Sequence, residues 1–358
     1  MQINAEKMMK NAVIIGATGF GGLGLIDLLV RHPEIKITEL AALDYGKTMS
    51  MMYPHLKGIC DLEVKSADKI SIENADVIFL ATPDQVGMKL AMKCYEKKIP
   101  VIDFSGDFRF PTLADYEVYA VNKGMSPIHA SPHLLKESVY GLPEKNFSSI
   151  KTAPIIGNPG CFAMAMILAL LPASEKGLLA PGTIICDGKT GVSGAGINPG
   201  RDNSYPLRYE NTNTYREGRH QHLVEVENII NQFRLNKTIS NKIFFVPQIV
   251  PMTRGILMTI YADINTEMDT SDISIIYRNY YRESPFVFIS DTSPNTMEVR
   301  GTNRCVIKVH IDKRTGKLLV VSALDNLMKG QSGNAVQNAN IRLGLDQTAG
   351  LNLNPFYP

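Results

Sequence analysis

The chain has 358 residues, 44% of them hydrophobic and 20% charged, with a formal net charge of +2. That length accommodates two domains, and the even spread of Lys and Arg among acids leaves no basic stripe for nucleic acid. No run approaches the roughly 18 uninterrupted apolar residues that a membrane span needs, and Met1 to Lys10 has no apolar leader core, so a cytoplasmic location is expected. The five cysteines (Cys60, Cys94, Cys161, Cys186, Cys305) contain no C-x-x-C pair and read as free thiols, not a disulfide framework or a zinc site.

An apolar strand, Ala12 to Ile15, opens the chain. Gly16-Ala17-Thr18-Gly19-Phe20-Gly21-Gly22 and an amphipathic segment, Leu23 to Arg31, follow it. Strand, glycine turn and helix in succession suit a dinucleotide, because glycines let backbone N–H groups approach a pyrophosphate at a helix N-terminus. The spacing is G-x-x-G-x-x-G, and packing alone also accounts for such turns. Further strands at Ile37 to Ala42, Val77 to Ala81 and Val101 to Asp103, with a helical stretch Gln85 to Lys97, predict a doubly wound parallel sheet, a Rossmann domain. Asp44, after the second strand, suits ribose hydroxyls and hence NAD, whereas Lys47 suits a 2′-phosphate; a solvated loop carboxylate is the plainer alternative.

Asn158-Pro159-Gly160-Cys161 stands between the apolar run Thr152 to Ile156 and a helix beginning near Phe162. This places Cys161 at or just inside a helix N-terminus, where thiolate is favoured, after small residues that expose the sulfur. The pattern then changes. Strands at Gly182 to Asp187, Lys242 to Val246, Gly255 to Ala262, Cys305 to Ile311 and Leu318 to Ala323, with one clear helical stretch at Ser271 to Tyr281, predict an α+β half with a mixed or antiparallel sheet. A polar loop rich in small residues, Gly188 to Gly196, follows the first of these. Leu327 to Leu343 has helical spacing that could return it to the first domain, although Gly330 and Gly333 weaken its start.

His220-Gln221-His222 with Glu225 offers imidazoles that can move a proton near neutral pH beside Cys161, with a carboxylate to orient one of them. No third histidine or cysteine stands in register for zinc, so no metal is expected; helix-capping surface histidines are the plainer alternative.

With these residues in place, the chain resembles N-acetyl-γ-glutamyl-phosphate reductases, relatives of aspartate-semialdehyde dehydrogenase. The resemblance runs through nearly the whole chain. It rests on the blocks Gly16 to Phe20, Val101 to Ser105 through Arg109, Gly157 to Cys161, Gly191 to Gly196, His220 to His222 with Glu225, Val250 to Leu257, Val299 to Asn303, and Asp325 to Gly330. It implies a Rossmann domain, 1–160, completed by a C-terminal helix in 327–358, and a catalytic and oligomerisation domain of the semialdehyde-dehydrogenase type, 161–326.

The implied chemistry is NADPH-dependent reductive dephosphorylation of N-acetyl-γ-glutamyl phosphate, a small-molecule acyl phosphate, through a thioester on Cys161. His220, slightly favoured over His222, would manage the proton on the hemiacetal oxygen, with Glu225 behind the pair. Arg109, Arg254, Asn158 and Ser193 are assigned to substrate; for the two arginines a surface or interdomain ion pair is the plainer alternative. Gly16, Thr18, Gly19, Phe20, Gly21, Gly22, Asp44 and Asn326 are assigned to the cofactor, a helix cap being the alternative for Asn326. A homodimer or homotetramer is expected.

Three departures from the family pattern stand out: Leu43-Asp44 where Ser-Arg is common, which leaves NAD beside NADP; Pro83-Asp84 where Pro-His is usual; and Phe162-Ala163-Met164 where Tyr-Pro-Thr is common. A relative acting on a carrier-protein-bound aminoadipyl or glutamyl phosphate, and a non-catalytic dinucleotide sensor, are the competing readings.

Overall fold

The computed structural model describes residues 9–357, so most of the segment read for a leader, Met1 to Met8, lies outside the described residues, as does Pro358. The described residues divide into two compact units: 9–113, 129–158 and 332–352 form the first, and 114–128, 159–331 and 353–357 the second. Among the described residues, no helix is long and apolar enough to cross a membrane.

The first unit is a parallel sheet of seven strands in the order β3-β2-β1-β4-β5-β7-β6. Its strands are β1 Lys10–Ile15, β2 Ile35–Ala41, β3 Val64–Lys65, β4 Val77–Leu80, β5 Val101–Asp103, β6 Ser138–Tyr140 and β7 Ile155–Gly157. Every pairing is parallel. Strands buried on both faces read as continuous apolar runs, and Val77–Leu80 is buried at all four positions. The order reverses between β1 and β4, the place where doubly wound sheets bind ligands beyond their strand ends.

The helix Gly333–Arg342 belongs to this unit and is buried over nine of its ten residues despite four amides. Their amide groups make hydrogen bonds: Asn334 and Asn338 both donate to the Gly141 carbonyl and to Asn158 Oδ1, and Asn340 meets His32 Nε2 at 3.0 Å. A hydrophobic-period reading cannot see such a helix as core, because its buried face is held by hydrogen bonds.

The second unit carries a mixed sheet in the order β12-β13-β14-β11-β8-β10-β9. The strands are β8 Gly182–Thr190, β9 Asn213–Thr214, β10 Asn241–Ile249, β11 Ile256–Asp263, β12 Val287–Ile289, β13 Cys305–Asp312 and β14 Lys317–Leu324. Their residues alternate buried and less buried, the mark of a sheet covered on one face. Against that face pack the helices Cys161–Glu175, His222–Gln232 and Thr270–Tyr280.

The helix Cys161–Glu175 is buried from Phe162 to Ser174, apolar all round as a central helix must be. Pro172 lies inside it and has no N–H for the carbonyl four residues back. Tyr281 Oη donates to that Leu168 carbonyl at 2.6 Å, and Tyr277 Oη serves Ala169 at 2.7 Å, so the helix continues through the proline without an orphaned acceptor. On the opposite face of the sheet, Phe244, Ile185 and Tyr261 stand in one row across β10, β8 and β11, each at least 43% exposed.

Candidate active site

In the first unit the glycine turn after β1 is shaped by close backbone approach. Gly16 has φ +91°, and a Cβ there would overlap the Ala81 carbonyl; a Cβ on Gly22 would lie 2.5 Å from Ala17 Cα. Gly19 is the N-cap of the helix Phe20–Leu29 and offers no side chain to its first N–H groups. Tyr53 Oη donates to the Thr18 carbonyl at 2.6 Å and pins the turn from outside. Asp44 is exposed beyond β2, as is Lys47.

The loops after β4 and β5 are tied together by carboxylates. Asp84 accepts from the Gly106 N–H at 2.6 Å, and Asp107 accepts from the N–H groups of Gln85 and Met88. Asp84 is therefore a loop fastener. Asp103, fully buried at the end of β5, has its pKa pushed up to about 7 by burial and then by the charge of Asp107, against the pull of Ser105 and Arg109. Arg109 is buried too. Its Nε donates to the Asn158 carbonyl at 2.7 Å and its Nη2 to the Phe104 carbonyl at 2.6 Å. The Asn158 side chain accepts from Asn334 and Asn338.

Pro159 opens the longest stretch of the second unit, and Cys161 is the first residue of the helix Cys161–Glu175. Gly160 is its N-cap in extended backbone, again without a side-chain cap. Glu225, 1% exposed, accepts the Gly160 N–H on Oε2 at 3.0 Å, fixing the turn immediately before the sulfur. The His222 ring lies against Gly160 so closely that a Cβ at 160 would overlap it, and His222 Nε2 is 4.0 Å from Glu225 Oε1. On the other side, a Cβ at Gly330 would come within 2.8 Å of Cys161 Cβ. Cys161 is partly exposed, whereas the other four cysteines are buried.

His220 sits in an aromatic box, its ring 4.6 Å from His222, 5.3 Å from Phe245, and 5.7 Å from both Phe162 and Tyr215 by centroid. Burial, then the charges of His222, Arg216 and Lys123, hold its pKa well below the ordinary histidine value. Its Nδ1 accepts the His222 backbone N–H at 3.2 Å, so the neutral ring carries its proton on Nε2. Tyr215 has its phenol pKa raised, by burial and then by the charge of Cys161, which places the two within electrostatic reach.

Residues 161–326 match the family model for the semialdehyde dehydrogenase dimerisation domain, and residues 11–153 the one for the semialdehyde dehydrogenase NAD binding domain. An N-acetyl-gamma-glutamyl-phosphate reductase from Oceanobacillus iheyensis is 38% identical, over 98% of this chain and 100% of its own. One from Bacillus cereus is 38% identical over 96% and 99%. The chain belongs to the N-acetyl-gamma-glutamyl-phosphate reductase family.

The fold agrees. Aspartate semialdehyde dehydrogenase II from Vibrio cholerae, 18% identical, superposes with a TM-score of 0.70 over 93% of this chain and 98% of that one. This family member is thus an enzyme of the semialdehyde dehydrogenase/reductase type with a nicotinamide-dinucleotide-binding domain.

Within the family member, His222 and Glu225 lie against Gly160, the residue before Cys161, and the His220 ring lies beside that of His222. Ser193 and Asn326 are brought together by a different logic: Asn326 Nδ2 donates to Ser193 Oγ at 2.9 Å while its Oδ1 accepts the Gly255 N–H at 2.8 Å. Arg254 is engaged by Asp325, Nε to Oδ2 at 3.1 Å, and Asp325 also accepts the Gly301 and Leu327 N–H groups. Sequence reasoning missed Tyr215, Arg216 and Lys123 around the imidazoles. Tyr215 and Arg216 precede His220 by only a few residues, the one local signal available. Lys123 had none, since 114–128 lies among stretches of the first unit yet clusters with the second.

Proposed function

We propose that the chain reduces N-acetyl-γ-glutamyl phosphate to N-acetylglutamate 5-semialdehyde with NADPH, the dinucleotide held by the first unit and the acyl group by Cys161 of the second. The observation that carries this reading is Cys161 at a helix N-terminus with no side-chain cap, Glu225 holding the preceding N–H and the paired imidazoles beside it. Such a terminus favours a thiolate by roughly 0.3–2 kcal/mol through its partial charge, before any help from side chains.

The first unit fits the cofactor. Gly16, Gly19 and Gly22 keep the turn clear of side chains, and the first-turn N–H groups of Phe20, Gly21 and Gly22 can receive a pyrophosphate beside Thr18. When bound, the reduced nicotinamide supplies the hydride that converts a thioester to a thiohemiacetal. Asp44 and Lys47 flank the place for the adenosine ribose, and Asn326 braces the Gly255 and Ser193 loops around the chemistry.

Cys161 Sγ attacks the acyl carbon, a C–S bond forms, and the C–O bond to phosphate breaks with its electron pair on the phosphate. The proton lost by the thiol balances the one that phosphate gains. Neutral His220 offers Nε2–H to the oxygen that gathers charge, in a site where burial strengthens a hydrogen bond. His222 lies against Gly160 and Glu225, suited to hold that geometry. Arg109 supports the elbow through the Asn158 carbonyl and so acts on substrate through the backbone. Collapse of the thiohemiacetal returns the thiolate and releases the aldehyde.

The open row of Phe244, Ile185 and Tyr261 supports self-association, since apolar side chains exposed together on a sheet face suit burial against a second copy. The test of the reaction is a steady-state assay in reverse, with N-acetylglutamate semialdehyde and inorganic phosphate, run in parallel with NADP and NAD. Turnover that requires phosphate and prefers NADP is expected. Turnover with neither nucleotide contradicts the reading, and preference for NAD would assign Asp44 to the ribose.

A further inference from the structure

Residues 353–357 cluster with the second unit, although the stretch before them belongs to the first. They form no helix or strand, and two aromatic rings among them, Phe356 and Tyr357, are 64% and 70% exposed. Burial of the ring therefore does not account for where Phe356 sits. Its N–H donates to the Arg300 carbonyl at 3.0 Å, and its ring lies on Gly301, where a Cβ would come within 2.5 Å of the ring edge. Gly301 has φ +78°, a conformation that favours glycine, and it meets the ring with bare backbone.

A line of close contacts runs from that glycine to Cys161. The Gly301 N–H donates to Asp325 Oδ2 at 2.7 Å, and Asp325, fully buried, accepts the Leu327 N–H on Oδ1 at 2.8 Å. The Asp325 carbonyl accepts the N–H groups of Met328 at 3.1 Å and Gly330 at 3.0 Å. Gly330 stands against the nucleophile, so close that a Cβ there would lie 2.8 Å from Cys161 Cβ. Every member of this line belongs to the second unit. A buried carboxylate that binds two N–H groups and the Arg254 guanidinium is a stiff joint, because each bond it loses leaves a buried acceptor unsatisfied. A displacement at Gly301 is therefore passed on to 327–330.

Taking Cys161 as the nucleophile of the reaction proposed above, we propose that Phe356 is a positioning residue: its ring holds Gly301, and through Asp325 the turn at Gly330, in place against Cys161. The segment 353–357 thereby sets the aim of the sulfur from the protein surface. Because the ring is mostly exposed, removing it takes little from the core and leaves a folded chain in which the aim can be measured.

The test compares the full chain as wild type, Phe356→Ala and Phe356→Tyr. Hydrogen–deuterium exchange of the peptides covering 299–303 and 325–330 should quicken roughly tenfold in Phe356→Ala, with the peptide over 16–29 unchanged. Iodoacetamide modification of Cys161, the partly exposed thiol, followed by peptide mass mapping, should slow about fivefold. In the reverse reaction kcat should fall about tenfold while the KM for the dinucleotide stays within about twofold of the wild type. Phe356→Tyr keeps the ring and should keep the wild-type values of all three. Unchanged exchange over 325–330 in Phe356→Ala, unchanged modification of Cys161, or a Phe356→Tyr variant as impaired as Phe356→Ala would overturn the proposal. The exchange and modification arms need no turnover. Their dependence on Phe356 in a wild type that shows no reductase activity would remove the proposed reaction and leave the positioning of Cys161 standing.

Discussion

Among the described residues, two α-helices begin on a glycine with no side-chain cap: Phe20–Leu29 after Gly19 and Cys161–Glu175 after Gly160. Both expose first-turn N–H groups and the positive end of a helix. Their surroundings differ. The turn at Gly16 to Gly22 is crowded by backbone, the Ala81 carbonyl and Ala17, and presents no ionisable side chain of its own. The turn at Gly160 is crowded by an imidazole ring and held by a carboxylate. One backbone device therefore serves two ends: left bare it suits an anionic ligand, and surrounded by His222, Glu225 and His220 it suits a nucleophile.

Substitutions that break one terminus and spare the other sharpen this contrast. Cys161→Ser should cost the largest effect, on the order of 10⁴-fold in turnover, because a hydroxyl replaces the thiolate at an otherwise intact terminus. Cofactor affinity, measured by fluorescence titration, should stay near the wild-type value; full turnover would remove the thioester.

Gly160→Ala should come next. Its methyl overlaps the His222 ring, so ring or elbow must move, and misplacement of about 1 Å is worth on the order of 10²-fold in rate. Stopped-flow kinetics with unchanged rates would show that His222 does not brace the nucleophile. At the other terminus, Gly22→Ala should weaken dinucleotide binding by roughly tenfold, about 1.4 kcal/mol, while the alkylation rate of Cys161 is preserved. Loss of Cys161 reactivity in that variant would mean that the two termini are not independent.

The smallest effect concerns stability, and it belongs to the first unit. The folded-state pKa of Asp103 lies at about 7, above the ordinary 3.8, so between these values the folded chain keeps a proton that the unfolded chain has lost. This contribution to stability is full below pH 4 and fades as pH rises through 7. Asp103→Asn removes that dependence. The fall in Tm from pH 5.5 to pH 8 should be roughly 2–4 °C smaller in the variant than in the wild type. An identical fall in both would assign the pH dependence elsewhere, Asp107 being the neighbouring carboxyl whose pKa is also raised.

Much of this architecture was legible in the chain. The strand Val101–Asp103 has the bounds read from its apolar run, and Cys161 begins its helix as the small-residue elbow implied. Short strands such as Val64–Lys65 and Ser138–Tyr140 were not legible, since pairing partners make them and no local pattern does. The spacing of Leu327 to Leu343 predicts a helix, which the structure forms over Gly333–Arg342, but that spacing carries no sign of the buried Asn334 and Asn338 contacts that seat it.

At the site, Cys161, His220, His222 and Glu225 stand out by residue type, whereas the residues around them do not. Arg109 finds its carbonyl 49 residues away and Arg254 its carboxylate 71 residues away, distances over which sequence offers no signal. Lys123 arrives on a helix that the chain order assigns to the other unit.

The most direct test is to look for the acyl enzyme. The protein is incubated with N-acetyl-γ-glutamyl phosphate without reduced cofactor, quenched in acid and mapped by peptide mass spectrometry. The thioester mechanism requires a hydroxylamine-sensitive N-acetylglutamyl adduct on the peptide bearing Cys161, formed with release of phosphate and absent from Cys161→Ser. An adduct on a different residue, or phosphate-dependent turnover by Cys161→Ser at the wild-type rate, would contradict it.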